Sequence, residues 1–278
     1  MTKISKTDLI FLSYDLVFIL IGYMCLYFYS KHNASAFNPL PITLAIIISI
    51  LLIHIIPINK NKDTHIYRNK KALFPFIIAY SMLILLIIAL NTLFNLNNSS
   101  VRNFNQTYIL LIQLGLTAAI FSCYLFKIKL SDFNWNISSK TFAYIVLIFI
   151  IYRFIINFNG IVDGTINIKG ILNLEFIIDF ALKATINSLY PALFEEVAFR
   201  GFLISGLKGF NLNNNACNII QSLIFGSAHI ASWGMPTSLI QLLVLAIQVM
   251  IGYLLGKIYF KTDSLLPCIL FHGLYNTI

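Results

Sequence analysis

Five stretches of about 20 mostly apolar residues, joined by short polar connections, occupy the first part of the chain: Leu9 to Tyr29, Pro39 to Ile58, Ala72 to Phe94, Thr107 to Phe126 and Thr141 to Phe158. A helix needs roughly 20 apolar residues to cross the hydrocarbon core of a bilayer. There its backbone polar groups must be satisfied within the segment. Three or four more such stretches follow between Ile171 and the C-terminus. The expected fold is therefore all-α, a polytopic transmembrane bundle of eight or nine helices. Composition agrees: 59% of the 278 residues are hydrophobic and 10% charged, and the mean hydropathy of +0.84 is outside the range of a soluble domain.

The first stretch follows Lys3 and Lys6, as a secretory signal would, and Ala34-Ser35-Ala36 has the look of a cleavage site. It is longer than a signal's apolar core and includes Asp15, so a retained anchor is expected. The net charge of +9 invites a nucleic-acid reading, but the basic residues do not gather on one soluble face, and no nucleic-acid partner is expected. They crowd two loops instead. Lys60, Lys62, Arg68, Lys70 and Lys71 stand against a single Asp63 in one, and Lys127, Lys129 and Lys140 form the other, two spans later. The positive-inside rule puts both loops, and by counting back the N-terminus, in the cytoplasm of a multi-pass cell-membrane protein. Cys25, Cys123, Cys217 and Cys268 fall singly in apolar segments and read as small core residues.

By content the chain divides in two. Residues 1–158 read as transmembrane scaffold, and residues 171–278 as the working unit, because three polar motifs fall there. Glu175, Asp179 and Lys183 recur every four residues, an amphipathic lead-in to a span from about Ile186 to Leu207. Spans from Ala216 to Met235 and Thr237 to Lys257 follow, with a turn at Pro236, and Ser264 to Ile278 closes the chain. With the Lys208 loop cytoplasmic, Glu195, His229 and His272 lie very roughly 20, 21 and 13 Å from the cytoplasmic loops. Three helices thus bring ionisable groups to a similar level, which random placement would not do.

Glu195-Glu196-x-x-x-Arg200 puts Glu196 and Arg200 at i,i+4 with the acid first, the favourable order for an ion pair. Glu195 points about 100° away and has no local cation. It must find a partner across the bundle, bind a metal, or serve as a general base. Phe225 and His229 share a helical face, as do His272 and Asn276. Alone, each His reads as an interhelical contact, the reading given to His54. Together, a carboxylate, two imidazoles and an amide are the parts for activating a water and stabilising an oxyanion. Glu195, His229 and His272 also suit a zinc ion with an open position. Gly252-x-x-x-Gly256 reads as a close helix approach, and Trp135 and Trp233 as interfacial anchors.

Leu193-Phe-Glu-Glu-Val-Ala-Phe-Arg-Gly201, Phe225-Gly-Ser-Ala-His229 and Ser264-Leu-Leu-Pro-Cys-Ile-Leu-Phe-His-Gly-Leu-Tyr-Asn276 resemble the three motifs of the CPBP family, also called the Abi or CAAX-protease-like family. The resemblance covers about residues 180–278 and implies an intramembrane endopeptidase. In it Glu195 and His229 would activate the attacking water and His272 and Asn276 would hold the oxyanion. Glu196, Arg200 and Phe225 would support them. The family is labelled metalloprotease, yet a metal-free mechanism suits the same residues, so a single divalent metal, zinc, stays open. Usage rich in Asn, Ile and Lys suggests a low-GC bacterium, where the substrate would be a secreted peptide, a leader or a membrane protein rather than a prenylated one. Two other readings stand beside this: a non-proteolytic scaffold or bacteriocin self-immunity protein that binds a partner membrane protein, and a proton-relaying transporter. The transporter is disfavoured by the lack of internal repeats.

Overall fold

The computed structural model describes residues 6–32, 38–55, 66–94, 121–166, 170, 173–230 and 239–277. Lys3, Ala34 to Ala36, Lys60, Lys62, Asp63, Trp233, the Pro236 turn and the expected span from Thr107, apart from its end, lie outside them. The described residues form nine helices and no strand, with a further helical turn at 121–125, so the fold is the expected all-α bundle. The helices are α1 (Lys6–His32), α2 (Leu40–Ile55), α3 (Leu73–Phe94), α4 (Ser139–Val162), α5 (Leu174–Asn187), α6 (193–209), α7 (Asn214–Ala228), α8 (239–262) and α9 (Leu265–Tyr275). Three of them, over Leu12–His32, Ser139–Val162 and Leu243–Thr262, are long and apolar enough to cross a membrane.

Polar side chains mark the helix starts. Ser138, Asn173 and Asn213 accept from the backbone N–H of Thr141, Glu175 and Ala216, so each caps an otherwise unpaired donor. Packing then sorts the faces. α4 buries Ile145, Ile148, Phe149 and Tyr152 and exposes Phe142, Leu147, Ile150, Phe154 and Phe158. Large apolar side chains on the outside, with Ser49, Asn218, Gln221, Glu196 and Arg200 buried within, are the pattern of a bundle solvated by lipid.

One break departs from expectation. The span expected to run unbroken from about Ile186 to Leu207 is interrupted at Tyr190, which is extended (φ −156°, ψ 123°) before Pro191, with a cis peptide bond between them. Proline lacks an N–H, and the residue before it is driven out of the helical region, so α5 and α6 are separate. The amphipathic lead-in is α5, which carries an exposed Lys183–Asp179 pair. The final helix is shorter than expected, 11 residues from Leu265 to Tyr275.

Helix α8 is the central beam. In its apolar window 67% of residues are buried, against 22% in those of α1 and α4. It packs on α1, α2, α7 and α9. Its two glycines make the α7 contact possible: a Cβ at Gly252 would sit 3.0 Å from the Phe225 ring, and one at Gly256 would overlap the Asn218 amide. Gly256→Val is therefore expected to destabilise the protein by about 1–3 kcal/mol through overpacking, seen as a lowered Tm of the detergent-solubilised protein.

Candidate active site

The site is assembled from α6, α7, α8 and α9, and its centre is a buried ion pair. Glu196 and Arg200, both with 0% of their surface exposed, meet through Arg200 Nη1 and Glu196 Oε1 at 3.0 Å. Over Val197–Leu203, a stretch that includes Arg200, the helix widens into a π-helix, a form that recurs at functional sites. Arg200 Nη2 donates to the Gly252 carbonyl at 2.8 Å, and Gln221 Nε2 donates to the same oxygen at 2.9 Å. The guanidinium also lies 4.9 Å from the centre of the Phe225 ring. One arginine thus ties α6 to α8 and stacks on α7, which its flat, forked cation does better than an ammonium.

Glu196 Oε1 has a second partner, His272 Nδ1, at 2.7 Å. The same oxygen accepts from Arg200, so in the contact with His272 it is again the acceptor and Nδ1 the donor. His229 ends α7 with Nδ1 at 2.8 Å from the Phe225 carbonyl. A carbonyl only accepts, so that Nδ1 is also a donor. In both rings Nδ1 is thus engaged as a donor, and Nε2 is the nitrogen on the opposite side of the ring. Both Nε2 atoms face Glu195: His272 Nε2 lies 3.8 Å and His229 Nε2 4.0 Å from Glu195 Oε2. These separations exceed a direct hydrogen bond. Glu195 Oε2 itself is buried without a hydrogen-bond partner among the described residues. A carboxylate oxygen and two ring nitrogens around one gap are suited to holding a water, which needs such polar partners.

The Phe225 ring forms the floor, with its centroid 4.7 Å from that of His229 and 5.8 Å from that of His272. The structure therefore brings together Glu195, Glu196, Arg200, Phe225, His229 and His272. Asn276 stands one turn beyond His272 as the cap of α9, and its main-chain carbonyl accepts from Asn187 Nδ2 at 3.1 Å. Sequence reading missed Asn218, Gln221 and the Gly252 carbonyl. The two amides, three residues apart in an apolar segment, were the available signal.

Zinc ligands about 2.1 Å from the ion stand about 3.4 Å from one another in a tetrahedron. The separations of 3.8 and 4.0 Å are wider. Among the described residues no group of three His, Cys, Asp or Glu side chains is spaced to hold a metal ion. As placed, Glu195, His229 and His272 do not form a coordination set.

Residues 177–278 match the family model described as Type II CAAX prenyl endopeptidase Rce1-like. The matched segment contains all three motifs and the whole of the site, and it agrees with the CPBP resemblance. The part of the chain that carries the site is thus similar to that family. No curated protein and no solved structure matches the chain significantly.

Arg200→Met leaves the Glu196 charge buried without its cation and is expected to destabilise by about 3–5 kcal/mol. Arg200→Lys is expected to recover only part of this, because one ammonium cannot reach both Glu196 and the Gly252 carbonyl as the fork does. Thermal unfolding of the purified variants checks both.

Proposed function

We propose that the protein is an intramembrane endopeptidase that hydrolyses a peptide bond in or near the bilayer, with water activated by Glu195 and His229. The observation that carries this is the gap between Glu195 Oε2 and the Nε2 atoms of His229 and His272, each ring being oriented through its Nδ1. A water in the gap gives one hydrogen to Glu195 Oε2 and the other to His229 Nε2, leaving an oxygen lone pair for the scissile carbonyl. On attack the C–O bond forms, Glu195 takes the proton, and the carbonyl becomes an oxyanion. The proton on Glu195 then passes to the amide nitrogen as the C–N bond breaks.

His272 lies between the Glu196 and Glu195 carboxylates, two negative charges faced by the single Arg200 cation. A proton on its Nε2 is what makes the ring a donor on that side. In this form His272, with the Asn276 amide, holds the oxyanion. Because the ligand separations are wide for zinc, no step is assigned to a metal.

We further propose a multi-pass protein in the cell membrane with a cytoplasmic N-terminus. The two basic loops support it by meeting the same end of the bundle. Asn69 N–H, beside Lys70 and Lys71, bonds the Ser205 carbonyl near the end of α6, and the Asn134 carbonyl, in the loop of Lys127 and Lys129, receives Leu265 N–H at the start of α9. Lipid and a peptide or membrane-protein substrate are the partners this reading implies, a partner membrane protein being a further candidate.

In vesicles with a membrane-anchored reporter peptide, Glu195→Gln and His229→Ala are each expected to lower kcat about 10²–10⁴-fold with Tm unchanged. Undiminished cleavage by both would overturn the protease reading in favour of a binding role for the same fold. Asn276→Ala, which keeps the carbonyl tie to Asn187, is expected to lower kcat without loss of accumulation. Cleavage by the wild type is expected to persist in a strong chelator, and its abolition, reversed by added zinc, would replace the metal-free mechanism.

A further inference from the structure

Away from the site, four polar side chains from three helices are knotted together where α1, α2 and α8 meet. Asp15, 1% exposed, is the hub. Its Oδ1 receives Lys257 Nζ at 2.6 Å and the Tyr253 hydroxyl at 2.5 Å, and its Oδ2 lies 2.8 Å from His54 Nε2. Lys261 Nζ reaches the His54 carbonyl at 3.3 Å, and Phe18 stacks on Tyr253 with centroids 4.3 Å apart. The mechanism uses none of these groups. Asp15 and His54 also lie outside the segment that matches the family model.

The knot and the site meet at consecutive residues of α8. Tyr253 bonds Asp15 through its hydroxyl and accepts from Asn218 through its carbonyl. The carbonyl of the preceding residue, Gly252, is the one that Arg200 and Gln221 share. From Gly252 the chain of contacts runs through Arg200 and Glu196 to His272 Nδ1. Asp15 is a buried anion anchored on α1, with a cation and a hydroxyl from α8 directed at it. Such a hub resists sliding or rotation of α8 past α1, because any displacement strands a charge in a medium where an unpaired charge is costly.

We propose that Asp15, through Lys257 and Tyr253, is a positioning residue. It sets the height and rotation of α8 so that the Gly252 carbonyl meets Arg200, and thereby sets the Glu196–His272 hydrogen bond. The N-terminal helices are then part of the catalytic assembly rather than a passive anchor. The activity arm of the test rests on the endopeptidase reading; the spectroscopic arm does not.

The test uses full-length protein in lipid nanodiscs with labelled histidine. The proton shared between His272 Nδ1 and Glu196 gives a low-field resonance, assigned by its loss in His272→Gln. Tyr253→Phe keeps every charge and removes only the hydroxyl link, and Asp15→Asn removes the charge. Both are expected to shift or broaden the His272 resonance, although neither residue touches His272. On the reporter peptide both are expected to lower kcat about tenfold or more with KM within about twofold. If Asp15→Asn alone does not accumulate, Asp15→Asn/Lys257→Met, which strands no charge, is expected to accumulate and to show the His272 resonance shifted or broadened, because the tie between α1 and α8 is lost. A His272 resonance unchanged in Tyr253→Phe and Asp15→Asn would overturn the proposal. If the wild type cleaves nothing, the endopeptidase reading fails, and the resonance alone still decides the coupling.

Discussion

The buried Glu196–Arg200 pair is the interaction on which the other site contacts depend. Neither charge is tolerable alone in this interior, so the sequence must supply the pair or replace both. Once the pair exists, its spare bonding capacity is directed outward: Arg200 takes the Gly252 carbonyl of α8, and Glu196 takes the His272 imidazole of α9. An i,i+4 pair within one helix thereby fixes two other helices in height and rotation. The same contact decides the tautomer of His272 and so which of its nitrogens faces Glu195. Glu195 Oε2 is left without a hydrogen bond among the described residues by this division of labour, because the neighbouring carboxylate has absorbed the local cation.

Helix α8 is what makes such transmission feasible. It is the most buried of the three long apolar helices found among the described residues, and Gly252 and Gly256 let α7 approach until its amides bond the α8 backbone. Along one side α8 serves the site through backbone carbonyls, and along the other it meets α1 and α2 through Tyr253 and Lys257. Backbone acceptors near a site are harder to remove by mutation than side chains, but they move with their whole helix. A knot of charges on the far side is a physically reasonable means of holding that helix still.

Much of this was legible in the chain. Apolar runs of spanning length define an all-α membrane bundle because only backbone-satisfied segments are stable in lipid. The spacing of Glu196 and Arg200 announced their pair, the glycine spacing on α8 announced a close approach, and His54 was read as an interhelical contact, which its bond to Asp15 is. The break at Tyr190–Pro191 was also available in principle, since proline carries its own conformational rule, but the strong apolar run around it masked the signal. Asp15 was noticed only as an argument against a cleaved signal. Nothing local to it reveals a lysine and a tyrosine more than two hundred residues away.

What the sequence determined by itself is what depends on local periodicity and transfer from water: the helical class, the membrane environment and the motifs on their helices. Only the tertiary structure decided which nitrogen of each histidine faces Glu195, that Gly252 offers its carbonyl to Arg200, and that Asp15 joins α1 and α2 to α8. These are relations between helices distant in the chain. They are set by rotation and axial height, and packing and buried charge choose those together, beyond what any single segment encodes.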